Sequence, residues 1–393
     1  MAVHSRRMRK SWWRKGTNDE GRLGCLFILW LLIVGGCSKD NGFELVDEQP
    51  LTAQDLRDAA LTRVDLSELS TGDAHFGRLR AAQMNPANDE VALVTRAGDT
   101  PRIWIVDLGG KVKAAFGEEG GGPEEYGIIR SVRYLNSDTL GSLGYRNISI
   151  VSTEGDMVAR RRADDIQLDP HLLVSKCDES VIIGGLSRAP AQQDGTRAWL
   201  WELPLAEVEG SEKAGSGRDR ITPLLSDPIP EARNTSVVRS VEHQGTTAFS
   251  RRAPSGMVLL KGECSAGVYD AKVDSVATGF RSWRKEQILG SPWELSQEGA
   301  SFSLPPIVNR GFAFDEGGRW ILSEGELRDG DWGDALYWQK SEQRWIRREL
   351  PGWFYIHDIG TNGELLVVAA LDSPRRHLMV LDPATLMKGI NLD

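Results

Sequence analysis

The feature of the sequence that most constrains its fold is a set of three short strand-like runs that returns six times. In each set a first run precedes a more continuously apolar second run, and the third run leads into a tight turn. Turn-forming residues separate the runs, with no convincing amphipathic helix between them. Strands at this density predict an all-β array of four-stranded antiparallel units, which is a six-bladed β-propeller.

The six sets can be placed by their first residues. The first runs begin at Arg78, Ile129, His171, Thr246, Arg310 and Trp353. The second runs begin at Glu90, Thr139, Ser180, Gly256, Arg319 and Glu364. The third runs begin at Ile103, Ile148, Ala198, Ala266, Ala335 and His377. A further run, Ala60–Leu69, alternates enough to be a strand, and we expect it to complete the last blade and close the ring.

The stretch Phe116–Tyr126, FGEEGGGPEEY, joins the first set of strands to the second. It resembles the glycine-rich G-x-G-x-G-P-x-E-F/Y connection of six-bladed NHL-like β-propellers, which occur as secreted bacterial lipoproteins. The matching positions are Gly120, Gly122, Pro123, Glu125 and Tyr126. The resemblance covers about residues 75–393, is specific over residues 103–158, and weakens in blades three to five because of long insertions.

The stretch FGEEGGGPEEY could form a phosphate loop, a calcium site or a turn. A phosphate loop needs inward-pointing N–H groups and positive potential, whereas this stretch carries four glutamates and loses an N–H at Pro123. Carboxylates suit calcium, but no EF-hand-like spacing is present. The turn is favoured, and it brings Glu124, Glu125 and Tyr126 to a candidate binding face.

Residues 1–36 read as an export signal, with a basic start followed by the apolar run Leu23–Val34. That run is shorter than the roughly 20 residues of a membrane-spanning helix and fits a signal-peptide core. The following Val34-Gly35-Gly36-Cys37 resembles a bacterial lipobox, which implies that Cys37 carries palmitate or a similar acyl chain. Ser38 after it favours the outer membrane by analogy, and residues 37–59 are expected to be an acidic tether.

Net charge and cysteine content limit which partners the mature chain can bind and which disulfide bonds it can form. Removing seven basic and two acidic residues in positions 1–36 leaves 40 of 47 basic and 54 of 56 acidic residues, a net charge of −14. This charge disfavours nucleic acid as a partner. Besides Cys37 the mature chain keeps Cys177 and Cys264, which we expect at strand ends on opposite faces of the disc and therefore unbridged.

The long insertions single out one face of the disc. In a propeller blade with strands A to D, the B–C and D–A connections share one face, and binding residues concentrate on loops that a rigid scaffold positions. Residues 188–197, 205–245, 281–308, 325–334 and 372–377 are all predicted to belong to those connections. The further candidates on this D–A/B–C face are Trp283, Trp293, Asp329, Asp331, Trp332, Arg375 and Arg376.

These observations favour a lipid-anchored envelope protein that binds a protein or glycan on the D–A/B–C face. The alternative is a calcium-dependent propeller hydrolase of the gluconolactonase and paraoxonase type, which needs carboxylates at the starts of the A strands. Of the residues there, only Asn309 suits such a site. Calcium is the one cofactor to consider, and Asp329, Asp331 and Asp334 of RDGDWGD offer a second candidate site for it. No catalytic motif is found, which makes an enzyme the less favoured class.

Overall fold

The structure is a computed structural model that describes most of the chain from Gly42 onward. The described residues are 42–393 without 88–89, 96–101, 118–127, 145–146, 164–167, 188–195, 209–220, 229–235, 254–255, 290–306, 329–330, 372–374, 389 and 391–393. Over this part of the chain, no helix has the length and apolar character needed to cross a membrane.

Six antiparallel sheets form the predicted six-bladed β-propeller. The strands of blade one are Leu79–Met84, Glu90–Thr95, Ile103–Asp107 and Val112–Phe116. Those of blade two are Ile129–Tyr134, Thr139–Gly144, Asn147–Ser152 and Met157–Arg162. Those of blade three are Leu168–Cys177, Ser180–Ser187, Thr196–Pro204 and Thr222–Pro228.

The remaining blades follow the same order. The strands of blade four are Ser236–His243, Thr246–Ala253, Gly256–Ser265 and Val268–Val273. Those of blade five are Ile307–Phe314, Trp320–Arg328, Asp331–Gln339 and Arg344–Leu350. Blade six consists of Trp353–Ile359, Leu365–Ala370, His377–Leu381 and, from the start of the chain, Ala60–Asp65. Each A strand contacts the A strand of the next blade, and that of blade six contacts that of blade one, so the ring is closed.

The core lies between neighbouring blades, which explains why the middle strands read as continuous apolar runs. In the B strand of blade six, Val367 and Ala369 pack into the cluster shared with blade five, whereas Leu366 and Val368 pack into the cluster shared with blade one. Alternate residues of a strand point to opposite faces of its sheet. A strand with a neighbour on both faces is therefore apolar at most positions.

Residues 43–59 belong to the folded body, which corrects their assignment to a tether. Glu44–Asp47 pairs in parallel with the outermost strand of blade five and becomes its fifth strand. The helix Ala53–Asp58 follows, capped by Thr52, and buries Leu56 in the core. The polar composition of this segment obscured a short edge strand and two buried leucines, Leu51 and Leu56.

One long helix is present that the sequence analysis missed. Ser275–Leu289 follows the last strand of blade four and packs against blade five, where Phe280 stacks on Trp345 at 3.9 Å between ring centroids. Arg281 and Arg284 form ion pairs with the buried Glu324 and Glu326 at 2.6 and 2.9 Å. Smaller elements are a 3-10 helix, a two-stranded hairpin and two single-turn helices, Leu66–Glu68, Ser70–Thr71 with Ala74–His75, Leu205–Val208 and Pro383–Leu386.

Cys177 and Cys264 form a disulfide with Cα atoms 5.4 Å apart, so the expectation that they stay unbridged is wrong. The predicted position of Cys264 is wrong because the sequence pattern places the start of the A strand of blade four at Thr246. Thr246–Ala253 is the B strand, and Ser236–His243 precedes it. Cys264 consequently ends a C strand, and C strands end on the same face as the A strand that ends at Cys177.

Two predicted insertions also lie elsewhere than expected. The connection 205–221 joins strands C and D of blade three, so it belongs to the opposite, A–B/C–D face. The stretch RDGDWGD is mostly strand, because the B strand of blade five runs to Arg328 and the C strand begins at Asp331. The D–A/B–C face therefore holds most, but not all, of the long connections.

Candidate functional site

The A strands begin at the D–A/B–C face, so their first halves line the mouth of the central channel on that face. Arginines dominate these positions. They are Arg78, Arg80, Arg130, Arg239 and Arg310, contributed by blades one, two, four and five. We refer to this region, together with Tyr355 and Trp353 of blade six, as the channel mouth. Two of its arginines have carboxylate partners: Arg130 lies 3.3 Å from Asp169, and Arg310 lies 3.4 Å from Asp334.

Arg239 reaches across the ring from blade four to blade six. Its Nη1 donates hydrogen bonds to the carbonyl oxygens of Arg310, at 3.0 Å, and of Ile356. Its guanidinium carbon lies 4.0 Å from the centroid of the Tyr355 ring. Gly311 makes room for this crossing, because a Cβ there would lie 2.3 Å from the Ile356 carbonyl oxygen and 2.8 Å from Arg239 Nη1. Burial lowers the pKa of Arg239 from its ordinary value, while Tyr355 opposes this shift.

Aromatic rings form a row along the A strand of blade six. Trp353 and Tyr355 stack with centroids 5.4 Å apart, and Tyr355 and His357 follow at 5.0 Å. Arg376, on the B–C connection, lies over Trp353 at 5.1 Å. Burial, and then the charge of Arg239, hold the pKa of His357 well below its ordinary value. His357 is therefore neutral at neutral pH and adds no charge to the channel.

A depression of about 540 Å³ lies beside the channel mouth at the rim of blade six. It is lined by Arg63, Asp65, Glu68, Arg375 and His377. Arg63 Nη2 and His377 Nε2 are 2.8 Å apart, and Arg375 lies 3.5 Å from Asp65. Burial and the Arg63 charge lower the pKa of His377. We call this the rim depression, and its ion pairs offer both signs of charge to a ligand.

The far half of the channel is filled by a hydrogen-bonded network. Arg133 of blade two donates to Glu242 of blade four at 2.9 Å, and Ser175 of blade three donates to the same carboxylate at 2.9 Å. Nearby, Asp358 of blade six accepts from the Met84 N–H at 2.9 Å. Burial raises the pKa of Asp358 to about 7, although Arg133 and two backbone N–H groups oppose the shift.

The structure describes three of the predicted binding-face side chains. Arg375 and Arg376 lie on the D–A/B–C face, at the rim depression and the channel mouth. Trp283 instead lies on the helix Ser275–Leu289 and packs against Phe43 and Phe280, each 5.9 Å away between centroids. Asp331 and Trp332 lie in the C strand of blade five and not in a loop.

The other predicted site residues cannot be compared with the fold. Cys37, Glu124, Glu125, Tyr126, Trp293 and Asp329 lie outside the described residues. The channel-mouth arginines were overlooked, although the inner runs RLRAAQM and IRSVRYL display them. The sequence signal for these arginines was a positively charged residue within a strand whose adjacent residues are apolar and buried.

Of the three aspartates of RDGDWGD, the structure describes the side chain of Asp334. It accepts from the Phe354 N–H at 2.8 Å and faces Arg310, so its oxygens are already engaged. Asn309 lies among the channel-mouth arginines. No group of three or more His, Cys, Asp or Glu side chains converges in the part of the chain that the structure covers.

Solved structures with a similar strand arrangement have little sequence in common with this chain. A Bacteroides fragilis protein described as exported is 10% identical over 84% of this chain and 89% of its own, with a TM-score of 0.49. Regucalcin, a calcium-binding protein from Agrobacterium tumefaciens, is 12% identical over 86% and 95%, with a TM-score of 0.41. A gluconolactonase from Xanthomonas campestris is 13% identical over 85% and 94%, with a TM-score of 0.42.

No protein-family model and no curated protein sequence matches the chain. The solved structures share the general strand arrangement, and at these TM-scores they transfer no activity to it.

Proposed function

We propose that this protein is an exported, lipid-anchored β-propeller that binds a protein or glycan ligand on its D–A/B–C face. The observation that carries the proposal is the concentration of features on one face. The channel-mouth arginines, the rim depression and most long connections all lie there. A rigid disc that gathers irregular, charged surface on one side is built for recognition.

The disulfide supports export independently of the signal-like segment. A bond between Cys177 and Cys264 persists in oxidising compartments and is rare in the cytosol, where thiols are kept reduced. Both cysteines end strands of neighbouring blades, so the bond fixes blade three to blade four. This is consistent with acylation at Cys37 and residence at the outer membrane.

The hydrolase alternative is weakened by the chemistry of the channel mouth. Calcium is held by oxygen ligands, chiefly carboxylates and carbonyls. The A strands here present arginines, and the Asp169 and Asp334 carboxylates near them already face Arg130 and Arg310. Guanidinium groups at these positions repel a divalent cation. We therefore favour binding over calcium-dependent hydrolysis.

Paired double variants test the choice of face. The mature protein would be applied to a glycan array and to peptides from envelope proteins. We expect the Arg375→Ala/Arg376→Ala variant to lose at least about tenfold in affinity for any ligand found. The matched variant Lys340→Ala/Arg344→Ala removes two cations flanking the C–D turn of blade five on the opposite face, and it should bind normally. Equal loss in both variants would contradict the assignment.

The anchor is tested separately by labelling cells with radioactive palmitate. Label should enter the wild-type protein and be lost in Cys37→Ala. Unchanged labelling of Cys37→Ala would refute acylation at that residue while leaving the binding face untouched.

A further inference from the structure

We propose that the channel mouth binds an oxyanion of the ligand, a carboxylate or a phosphate, with Arg239 as its central contact. The inference deepens the proposed function, because it rests on the D–A/B–C face being the binding face. It names the chemistry that the face recognises. Glycans that carry uronic acids are one class of ligand with this chemistry.

Arg239 is the residue that carries the inference. A half-buried guanidinium normally has a carboxylate partner, because an unpaired charge loses the solvation that water provides. Arg239 has none among the described residues, and its neighbours are two carbonyl oxygens and the Tyr355 ring. A guanidinium has five N–H donors. The two bonds from Nη1 and the hydrogen bond to the Tyr355 side chain leave two donors for an anion.

The surroundings of Arg239 reinforce the positive potential. Five arginines from four blades are gathered at the channel mouth, and their positive charge stands out in a chain whose formal net charge is −9. A cleft of one sign concentrates ligands of the other sign.

The geometry argues for a planar oxyanion held by side chains. The Tyr355 ring supports one face of the Arg239 guanidinium, and the carbonyl oxygens of Arg310 and Ile356 fix its orientation. A guanidinium held in this way presents a flat edge that matches a carboxylate or two phosphate oxygens. The Tyr355 and Trp353 faces are already covered by Arg239 and Arg376, so charge recognition is favoured over sugar stacking.

The test is a titration of the full mature chain in detergent with trigalacturonic acid, neutral galactotriose and inorganic phosphate, followed by calorimetry. We expect trigalacturonic acid to bind at least about tenfold more tightly than galactotriose, and its affinity to fall as sodium chloride is raised from about 50 to 200 mM. Binding of phosphate alone would identify phosphate as the anion and still support the site. Equal binding of the charged and neutral sugars, or no binding by either anion, would overturn it.

Variants locate the site. Arg239→Gln should weaken binding of the anion at least about tenfold, and Arg239→Lys should restore part of the loss because it keeps the charge without the planar edge. Lys272→Gln removes the same charge from the exposed outer strand of blade four and should bind as the wild type does. Because Arg239 also holds blades together, Arg130→Gln provides a second test at a partly exposed position, and it should weaken binding several-fold.

The outcomes separate this inference from the proposed function. Anion binding that survives both Arg239→Gln and Arg130→Gln in folded protein would overturn the channel site. If the array ligand still required Arg375 and Arg376, the binding face would stand and only the oxyanion assignment would fall.

Discussion

Asp358 makes stability depend on pH in a direction that is uncommon for a carboxylate. Burial raises its pKa from 3.8 to about 7 in the folded protein. A carboxyl group whose folded pKa is raised stabilises the fold when protonated. That contribution is complete below the unfolded pKa near 3.8 and is lost as pH rises through about 7. The difference corresponds to about 4 kcal/mol, at about 1.4 kcal/mol per pKa unit.

The perturbation is Asp358→Asn, which keeps an oxygen for the Met84 N–H and removes the ionisation. Between pH 5 and pH 7 the free energy of unfolding of the wild type should fall by about 2 kcal/mol relative to the variant. Urea unfolding followed by tryptophan fluorescence at half-unit steps of pH measures the difference. Asp270→Asn, on an exposed strand, controls for the loss of one acidic group.

The result that would refute this reasoning is a constant difference between wild type and Asp358→Asn over that pH range. A rise in the free energy of unfolding of the wild type relative to Asp358→Asn as pH increases would refute it as well, because it would mean that the folded state prefers the ionised carboxyl. The pairing of Arg133 with Glu242 would then have to extend to Asp358 and outweigh its burial.

Three further perturbations follow from the contacts described above. Cys177→Ser/Cys264→Ser should lower the free energy of unfolding by about 4.5 kcal/mol, from a sequence separation of 87, as measured by urea unfolding against the oxidised wild type. No difference between the two would mean that the bond does not form. Arg284→Ala should lower the free energy of unfolding by about 3 kcal/mol, because the charge of the buried Glu326 loses one of its cationic partners. Arg344→Ala breaks a partly exposed pair and should lower it by less than about 1 kcal/mol. Similar losses of stability for the two variants in thermal melts would contradict this. Gly155→Ala should lower the free energy of unfolding by about 2 kcal/mol, since its φ is +104° and the added Cβ would lie 2.8 Å from the Phe116 ring. Gly245→Ala, where φ is +80° and the added Cβ meets no neighbour, should lower it by about 1 kcal/mol. A larger loss of stability at Gly245 would argue against the Phe116 contact.

The propeller could be predicted because its strands obey a simple rule. Strands B and C have neighbours on both faces and are mostly apolar, as in Leu365–Ala370. Such runs repeat six times because each of the six blades packs between two neighbours around the ring. The connection lengths then fix which strand ends share a face, and the D–A/B–C face follows from that topology.

The errors arose where that rule does not apply. The A strand of blade four, Ser236–His243, carries Arg239, Glu242 and His243, since its side chains meet other polar groups inside the channel. The broken apolar pattern caused the strand to be read as a loop, which shifted the blade and hid the disulfide. The residues that misled the assignment are therefore the ones that form the candidate site and the channel network.

The channel mouth was beyond sequence reasoning for a different reason. Arg78, Arg130 and Arg310 are far apart in the chain, and only ring closure brings them to one opening. A single arginine in a strand does not show which other strands bring cations to the same opening. The helix Ser275–Leu289 was missed because its inner face buries arginines against Glu324 and Glu326, which weakens the apolar periodicity of an ordinary amphipathic helix.

The pairing of both chain ends has a consequence for biogenesis. Glu44 aligns with Arg344, and Ala60 with Leu381, so strands made first wait about 300 residues for their partners. A ribosome or translocase that delivers the chain from its N-terminus supplies those partners last. Individual blades can fold during synthesis, but the propeller ring stays open until about the last fifty residues are synthesised. A nascent or C-terminally truncated chain therefore exposes two unpaired sheet edges, which are the natural substrates of chaperones and proteases.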